Sequence, residues 1–143
     1  MKRKLLQILA VILCFASLMT CQILASDTGE SGIMPLWDNA AGVYCEITFE
    51  QTGIGVLVGS VSARKSNTTI YARLELYRTH WLFGDTLLNY WTAADYDAVN
   101  FSETFTPTDG QEYKLVLTAT VTYNGNAEEV KMTDVETYHA SDS

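Results

Sequence analysis

Apolar and polar residues alternate along most of the chain from residue 43 onward. A period of two is typical of β-strands that bury one face, because successive side chains point to opposite sides. The clearest alternation runs from Ile70 to Tyr77, and a longer one runs from Tyr113 to Tyr123. Asn124-Gly125 follows the longer run, and both residues tolerate the positive φ of a tight hairpin. The predicted strands cover residues 43–49, 54–63, 70–77, 86–92, 101–105, 113–123 and 127–138.

About seven strands and no convincing helix predict an all-β fold. Parallel pairing needs long crossover connections, and the turns between these strands are short. The sequence therefore predicts an antiparallel β-sandwich of about seven strands, immunoglobulin-like or fibronectin type III-like. Residues 79–85 and 93–99 interrupt the alternation and are predicted to be loops. Gly55 and Gly59 in the second strand predict a bulge or a close backbone approach.

The first 25 residues have the order of a secretory signal peptide. Lys2, Arg3 and Lys4 precede an apolar run over residues 8–16, and a stretch with small residues follows. We expect cleavage between Ala25 and Ser26, which predicts a secreted, extracellular protein without a stable membrane span. Two alternatives remain: the segment is retained as an N-terminal membrane anchor, or residues 18–21 act as a lipobox and a lipid is attached to Cys21. The style of the signal is bacterial.

Residues 26–32 have almost no apolar content and are predicted to be a flexible lead-in. A single β-sandwich domain is predicted over residues 33–138, followed by a polar tail at 139–143. Three of the nine basic residues lie in the predicted signal peptide, whereas all 17 acidic residues follow it, so cleavage changes the formal charge from −8 to −11. Such an acidic domain is repelled by nucleic acid and by anionic lipid, and neither is an expected partner.

Cys45 is the one cysteine after the predicted cleavage site, so no intramolecular disulfide is expected. It lies on the apolar face of its strand and is interpreted as a small buried hydrophobic residue. His80 and His139 occur in no recognisable nucleophile motif, and there is no phosphate-binding glycine loop. The sequence therefore predicts a protein that is not an enzyme and has no cofactor. The acidic segment 95–100 lacks EF-hand spacing, and no metal site is predicted.

Five aromatic residues within 16 positions form the candidate ligand-binding site around the two predicted loops. Exposed aromatic rings stack on sugars or anchor protein partners. Core packing is the leading interpretation for Trp91 and Phe83, and both locations remain open for Trp81. Tyr71 and Tyr77 also fall on the predicted polar face of their strand. The candidate residues are Trp81, Phe83, Tyr90, Trp91 and Tyr96.

Residues 110–119, with the sequence Gly-Gln-Glu-Tyr-Lys-Leu-Val-Leu-Thr-Ala, resemble the sixth-strand segment of fibronectin type III and related immunoglobulin-like domains. The resemblance implies that Tyr113 occupies a tyrosine corner, with its hydroxyl group bonded back to the backbone.

The chain from Trp37 onward is also similar to a family of small secreted bacterial proteins of unknown function. The residues that carry this resemblance are Trp37-Asp38-Asn39, Val43 to Phe49, Lys65 to Ile70, Leu74 to Tyr77, and the spacing of Gly110, Tyr113 and Leu115. It implies no catalytic residues.

Together these observations predict a secreted or cell-surface binding or accessory module that recognises an extracellular protein or glycan through its aromatic loops. Two alternatives remain: a small carbohydrate-active hydrolase that uses paired carboxylates, or a purely structural surface protein.

Overall fold

The computed structural model describes residues 37–140. The predicted signal peptide, the Ala25–Ser26 cleavage site, Cys21 and the lead-in at 26–32 lie outside the described residues. Within the described range the chain forms seven strands and no helix. They are β1 (Ala40–Phe49), β2 (Gly55–Ala63), β3 (Thr69–His80), β4 (Gly84–Tyr96), β5 (Ala98–Phe105), β6 (Glu112–Tyr123) and β7 (Asn126–Thr137).

The strands form two antiparallel sheets, with the order β1-β2-β5 in one and β4-β3-β6-β7 in the other. This confirms the predicted all-β antiparallel sandwich of seven strands. In a constant-type immunoglobulin domain the fourth strand lies in the same sheet as the first and second. Here β4 pairs with β3 in the opposite sheet, so the fibronectin type III-like alternative describes the domain better.

The predicted loop at 93–99 is wrong. β4 continues to Tyr96, β5 begins at Ala98, and Asp97 alone makes the turn with a φ of 66°. Aspartate tolerates this left-handed conformation better than most residues. The turn is also anchored to the neighbouring connection, because Asp97 Oδ1 accepts a hydrogen bond from Thr68 N at 3.0 Å and Asp97 N donates to Thr68 O at 2.9 Å. The predicted loop at 79–85 is likewise shorter, since only residues 81–83 separate β3 from β4.

The apolar faces of the two sheets meet in one core, as the alternation predicts. Its largest fully buried aliphatic side chains are Leu57, Ile70, Leu74, Leu76, Leu115 and Leu117. Gly59 lets the sheets approach, because a Cβ atom there would lie 3.1 Å from Leu74 Cδ1 and 3.4 Å from the Phe101 ring. The expected close approach therefore occurs at both glycines, since a Cβ atom at Gly55 would overlap the Phe105 ring. The register shifts of the sheets lie elsewhere, at residues 40–42 and 76–77.

Cys45 is a free cysteine and lies in this core, 8% exposed. Desolvation by burial, with the nearby charge of Asp134, raises the pKa of its thiol to about 12. The thiol is therefore protonated at neutral pH and is a poor nucleophile.

Tyr113 has the geometry of a tyrosine corner. The side chain is buried, and its hydroxyl oxygen accepts a hydrogen bond from Thr108 N at 2.8 Å. The ring packs against Phe105, with ring centroids 4.9 Å apart, and against Phe49 at 6.4 Å. The contact ties the β5–β6 connection to the start of β6.

We expect Tyr113→Phe to destabilise the domain by about 1 kcal/mol or more, because Thr108 N loses its partner while the ring packing is retained. The free energy of unfolding, measured by urea denaturation, tests this. Tyr71→Phe is the control, since Tyr71 is exposed on a sheet face. Equal stability of the Tyr113 variant and the wild type would contradict a stabilising role for the corner.

Glu128 joins β7 to the start of β1. Its carboxylate accepts hydrogen bonds from Asp38 N and Asn39 N, both at 2.8 Å, and from Ala40 N at 3.2 Å. Desolvation opposes the charge of Glu128, but these three N–H donors, together with Arg64, outweigh it and lower the pKa of the carboxyl group. Further along the same strands, Asp134 Oδ2 accepts a hydrogen bond from Ile47 N at 2.7 Å. Two β7 carboxylates therefore satisfy backbone donors of β1 and of the two residues that precede it.

Glu128→Gln should cost about 1–3 kcal/mol of unfolding free energy at pH 7, because a charged acceptor of three N–H groups is replaced by a neutral one. Since the folded-state pKa of Glu128 is lowered, its stabilisation is present above the ordinary carboxyl pKa of 4.5 and is lost as the pH falls through the folded value. The difference between wild type and variant should therefore shrink below pH 4.5. Thermal unfolding at a series of pH values measures it, and a constant difference would contradict the assignment.

Candidate functional site

The hairpin formed by β3 and β4 carries all five candidate ligand-binding residues. β4 is an edge strand that pairs only with β3, and every residue from Trp81 to Tyr90 is exposed. Gly84 follows the turn with a φ of 75°, a conformation that glycine adopts without strain. We call residues His80, Trp81, Leu82 and Phe83 the hairpin tip.

The hairpin tip presents three consecutive large apolar side chains to solvent. Trp81 is 89% exposed, Leu82 60% and Phe83 78%. The interpretation of Phe83 as a core residue is therefore wrong: the turn places it beyond the sandwich, where no facing strand covers it. Leu87 and Leu88 at the start of β4 are also substantially exposed. These five side chains concentrate exposed apolar surface in one short segment.

His80 orders the hairpin tip. Its Nδ1 atom accepts a hydrogen bond from Leu82 N at 3.2 Å, so the proton of the neutral ring lies on Nε2. The ring stacks beside Trp81, with centroids 6.3 Å apart and an interplanar angle of 20°, and it lies 4.8 Å from the Phe83 ring. The aromatic residues of the turn are thus arranged around one imidazole.

A cleft of about 350 Å³ separates the hairpin tip from the β5–β6 turn. Gln111 braces it, because Gln111 Nε2 donates a hydrogen bond to Thr79 O at 2.7 Å. This contact holds the base of the hairpin against the rest of the domain. The lining residues are Thr79, His80, Trp81, Gly110, Gln111 and Glu112.

The remaining candidates lie on opposite faces of β4, because β4 is a strand where a loop was predicted. Tyr90 lies opposite Glu75 on the outer face, with the Arg73 guanidinium carbon 4.2 Å from its ring centroid. Tyr96 is exposed beside the Asp97 turn. Trp91 lies opposite Leu74 and packs against the core, in agreement with its interpretation as a core residue.

Several residues of this region were not among the candidates. Leu82, Leu87 and Leu88 add aliphatic surface, and His80 and Gln111 organise the hairpin tip and its base. The Leu87-Leu88 pair breaks the alternation of its strand, and this break was the sequence signal for an irregular, exposed segment. The register shift beside it, between Leu76 and Tyr77, confirms that the ladder is irregular there. The contact of Gln111 with Thr79 crosses 32 residues and has no local signal.

Over residues 37–140, no three His, Cys, Asp or Glu side chains converge in a way that would hold a metal ion. In the same range no helix is long and apolar enough to cross a membrane.

No family model matches the chain, and no curated protein matches it. The similarity to a family of small secreted bacterial proteins therefore stays an expectation. Among solved structures, the chain is similar to a β-glucuronidase from Parabacteroides merdae, with 11% identity and a TM-score of 0.46, over 66% of this chain and 13% of that one. It is also similar to CsgH from R. palustris, with 15% identity and a TM-score of 0.39, over 64% of this chain and 91% of that one. At these scores neither neighbour bears on function.

The two tryptophans of the hairpin should respond oppositely to truncation. We expect Trp81→Ala to change the unfolding free energy by about 0.5 kcal/mol or less, since the side chain is almost fully solvated. Trp91→Ala should cost about 2 kcal/mol or more, because it leaves a cavity against Leu74. Urea denaturation of both variants measures these unfolding free energies. A large loss of stability in Trp81→Ala would contradict the prediction and show that the hairpin tip contributes to folding.

Proposed function

We propose that the protein is an exported, non-catalytic binding module that docks on a partner protein through its hairpin tip. The observation that carries the proposal is the exposure of Trp81, Leu82 and Phe83 in one turn. Contact between contiguous apolar side chains and water is unfavourable, and such exposed patches are typical of interaction sites.

The order of the hairpin tip supports a binding role. The hydrogen bond from Leu82 N to His80 and the contact of His80 with Phe83 restrict the turn before any partner is present. Gln111 restricts the base of the hairpin in the same way. A pre-organised contact surface loses less conformational entropy on association, so more of its interaction energy appears as affinity.

The chemistry of the hairpin tip favours a protein partner over a glycan. Leu82 is aliphatic and offers a sugar neither a flat ring nor a hydrogen bond, and the exposed Leu87 and Leu88 extend the same character. Tryptophan and phenylalanine side chains that fill apolar pockets are common anchors of protein–protein interfaces. We therefore expect the partner to have an apolar pocket that accepts Trp81.

The test is capture of envelope and extracellular proteins of the source cells on immobilised wild type, Trp81→Ala and Phe83→Ala proteins. A true partner should be retained by the wild type and lost from both variants. With the purified partner, each substitution should weaken the binding free energy by about 2 kcal/mol or more, which raises Kd about thirtyfold.

Tyr44→Ala is the matched control, because Tyr44 is an exposed aromatic residue on the other sheet. It should retain the partner fully. Equal capture by all four proteins, or binding lost only in Tyr44→Ala, would overturn the role of the hairpin tip. Unchanged melting temperatures of the variants exclude unfolding as the cause of any loss.

A further inference from the structure

Four tyrosines lie along the outer face of β3 and β4. Tyr71 and Tyr77 alternate on β3 with the buried residues Ala72, Leu74 and Leu76, so they point away from the core. Tyr90 lies opposite Glu75, and Tyr96 lies opposite Thr69. We call Tyr71, Tyr77, Tyr90 and Tyr96 the tyrosine row. Three of them, Tyr71, Tyr90 and Tyr96, are more than half exposed.

The tyrosine row runs along two adjacent strands. Strand residues rise by about 3.4 Å each, so Tyr71 and Tyr77 are separated by about 20 Å along β3. Tyr90 lies between them on the adjacent strand, at the level of Glu75, and Tyr96 extends the row beyond Tyr71. This spacing suits an extended chain of several units better than a single small molecule.

A groove of about 330 Å³ lies beside the row and crosses β3 towards β6. It is lined by Tyr71, Arg73, Glu75, Thr118, Ala119 and Thr120. Arg73 Nε lies 2.9 Å from Glu75 Oε1, and the guanidinium group packs on the Tyr90 ring. These contacts fix the positions of a donor group, an acceptor group and an aromatic face before any ligand arrives.

This combination matches the surface of a neutral sugar chain. The C–H groups on one face of a pyranose ring pack against the negative face of an aromatic ring. The ring hydroxyls are donors and acceptors, which Arg73, Glu75 and the threonine hydroxyls can pair. Thr118 and Thr120 place two such hydroxyls on the β6 side of the groove.

The charges favour a neutral polymer over an acidic one. Arg73 is paired with Glu75, and Lys114 is paired with Asp85 at the far end of the face. The chain as a whole carries a formal charge of −8, which repels polyanions. We propose that the tyrosine row and its groove bind a neutral polysaccharide chain, at a site separate from the hairpin tip.

Affinity electrophoresis of the purified protein through gels with hydroxyethylcellulose, arabinoxylan, galactomannan or laminarin tests this proposal. The wild type should be retarded in at least one gel. Tyr71→Ala and Tyr90→Ala should each weaken the apparent affinity about tenfold, because a stacking face is removed. Tyr71→Phe should retain most of the affinity, since it keeps the ring.

Two variants control for location. Tyr44→Ala changes an exposed tyrosine on the other sheet, and Trp81→Ala changes the hairpin tip, so neither should alter the retardation. No retardation in any of the four gels, retardation only in a fifth gel that contains the acidic polymer polygalacturonate, or loss of binding with Trp81→Ala or Tyr44→Ala would each overturn the proposal. Loss of a partner protein from the Trp81→Ala variant in the capture experiment tests the hairpin tip alone. The two proposed sites can therefore be confirmed or contradicted independently.

Discussion

The domain has to hold its two sheets together through side-chain packing and through hydrogen bonds such as those of Glu128 and Asp134 with β1, because Cys45 is a free cysteine and is the only cysteine within residues 37–140. Leu74 of β3 packs over the bare backbone at Gly59 of β2, and this is one place where the two sheets come close. A methyl group at position 59 would lie within 3.1 Å of Leu74, so the sheet separation and the leucine rotamer depend on each other. Close packing of this kind makes small changes in core volume costly.

The same strand carries both the core and the candidate site. Up to Leu76, every second residue of β3 is buried between the sheets; after it the strand runs on to His80, with exposed or partly exposed residues only. At this point Leu76 pairs with Asn89 and Tyr77 pairs with Leu87, so Leu88 of β4 is the extra residue of a bulge. Such bulges re-aim side chains and often lie next to functional sites. The hairpin therefore continues from β3, which is anchored in the core up to Leu76, and this base positions an apolar turn in solvent.

Alternation was sufficient to predict the seven strands and the sandwich, because burial of one face per strand is encoded locally. Alternation was insufficient where contacts between distant residues determine the turn, the exposure or the hydrogen-bond partners of a residue. Asp97 replaces a predicted seven-residue loop, since one left-handed residue held by Thr68 reverses the chain. Phe83 is hydrophobic enough for the core, but its place in the turn leaves it without a facing strand. Glu128 resembles any other acidic strand residue until β7 approaches the N–H groups of residues 38–40, where β1 begins.

The two surfaces of the hairpin differ in chemistry because a strand has two faces and an end. On the outer face, Tyr90 has Arg73 and Glu75 as neighbours, so aromatic and polar groups are interleaved. At the end, three apolar residues follow one another: Trp81, Leu82 and Phe83. They lie in a turn, where no strand faces them and covers their side chains. Interleaved groups suit a ligand with hydroxyls along its length, whereas an apolar tip suits a closed pocket. The two proposals therefore assign chemically different partners to different parts of one hairpin.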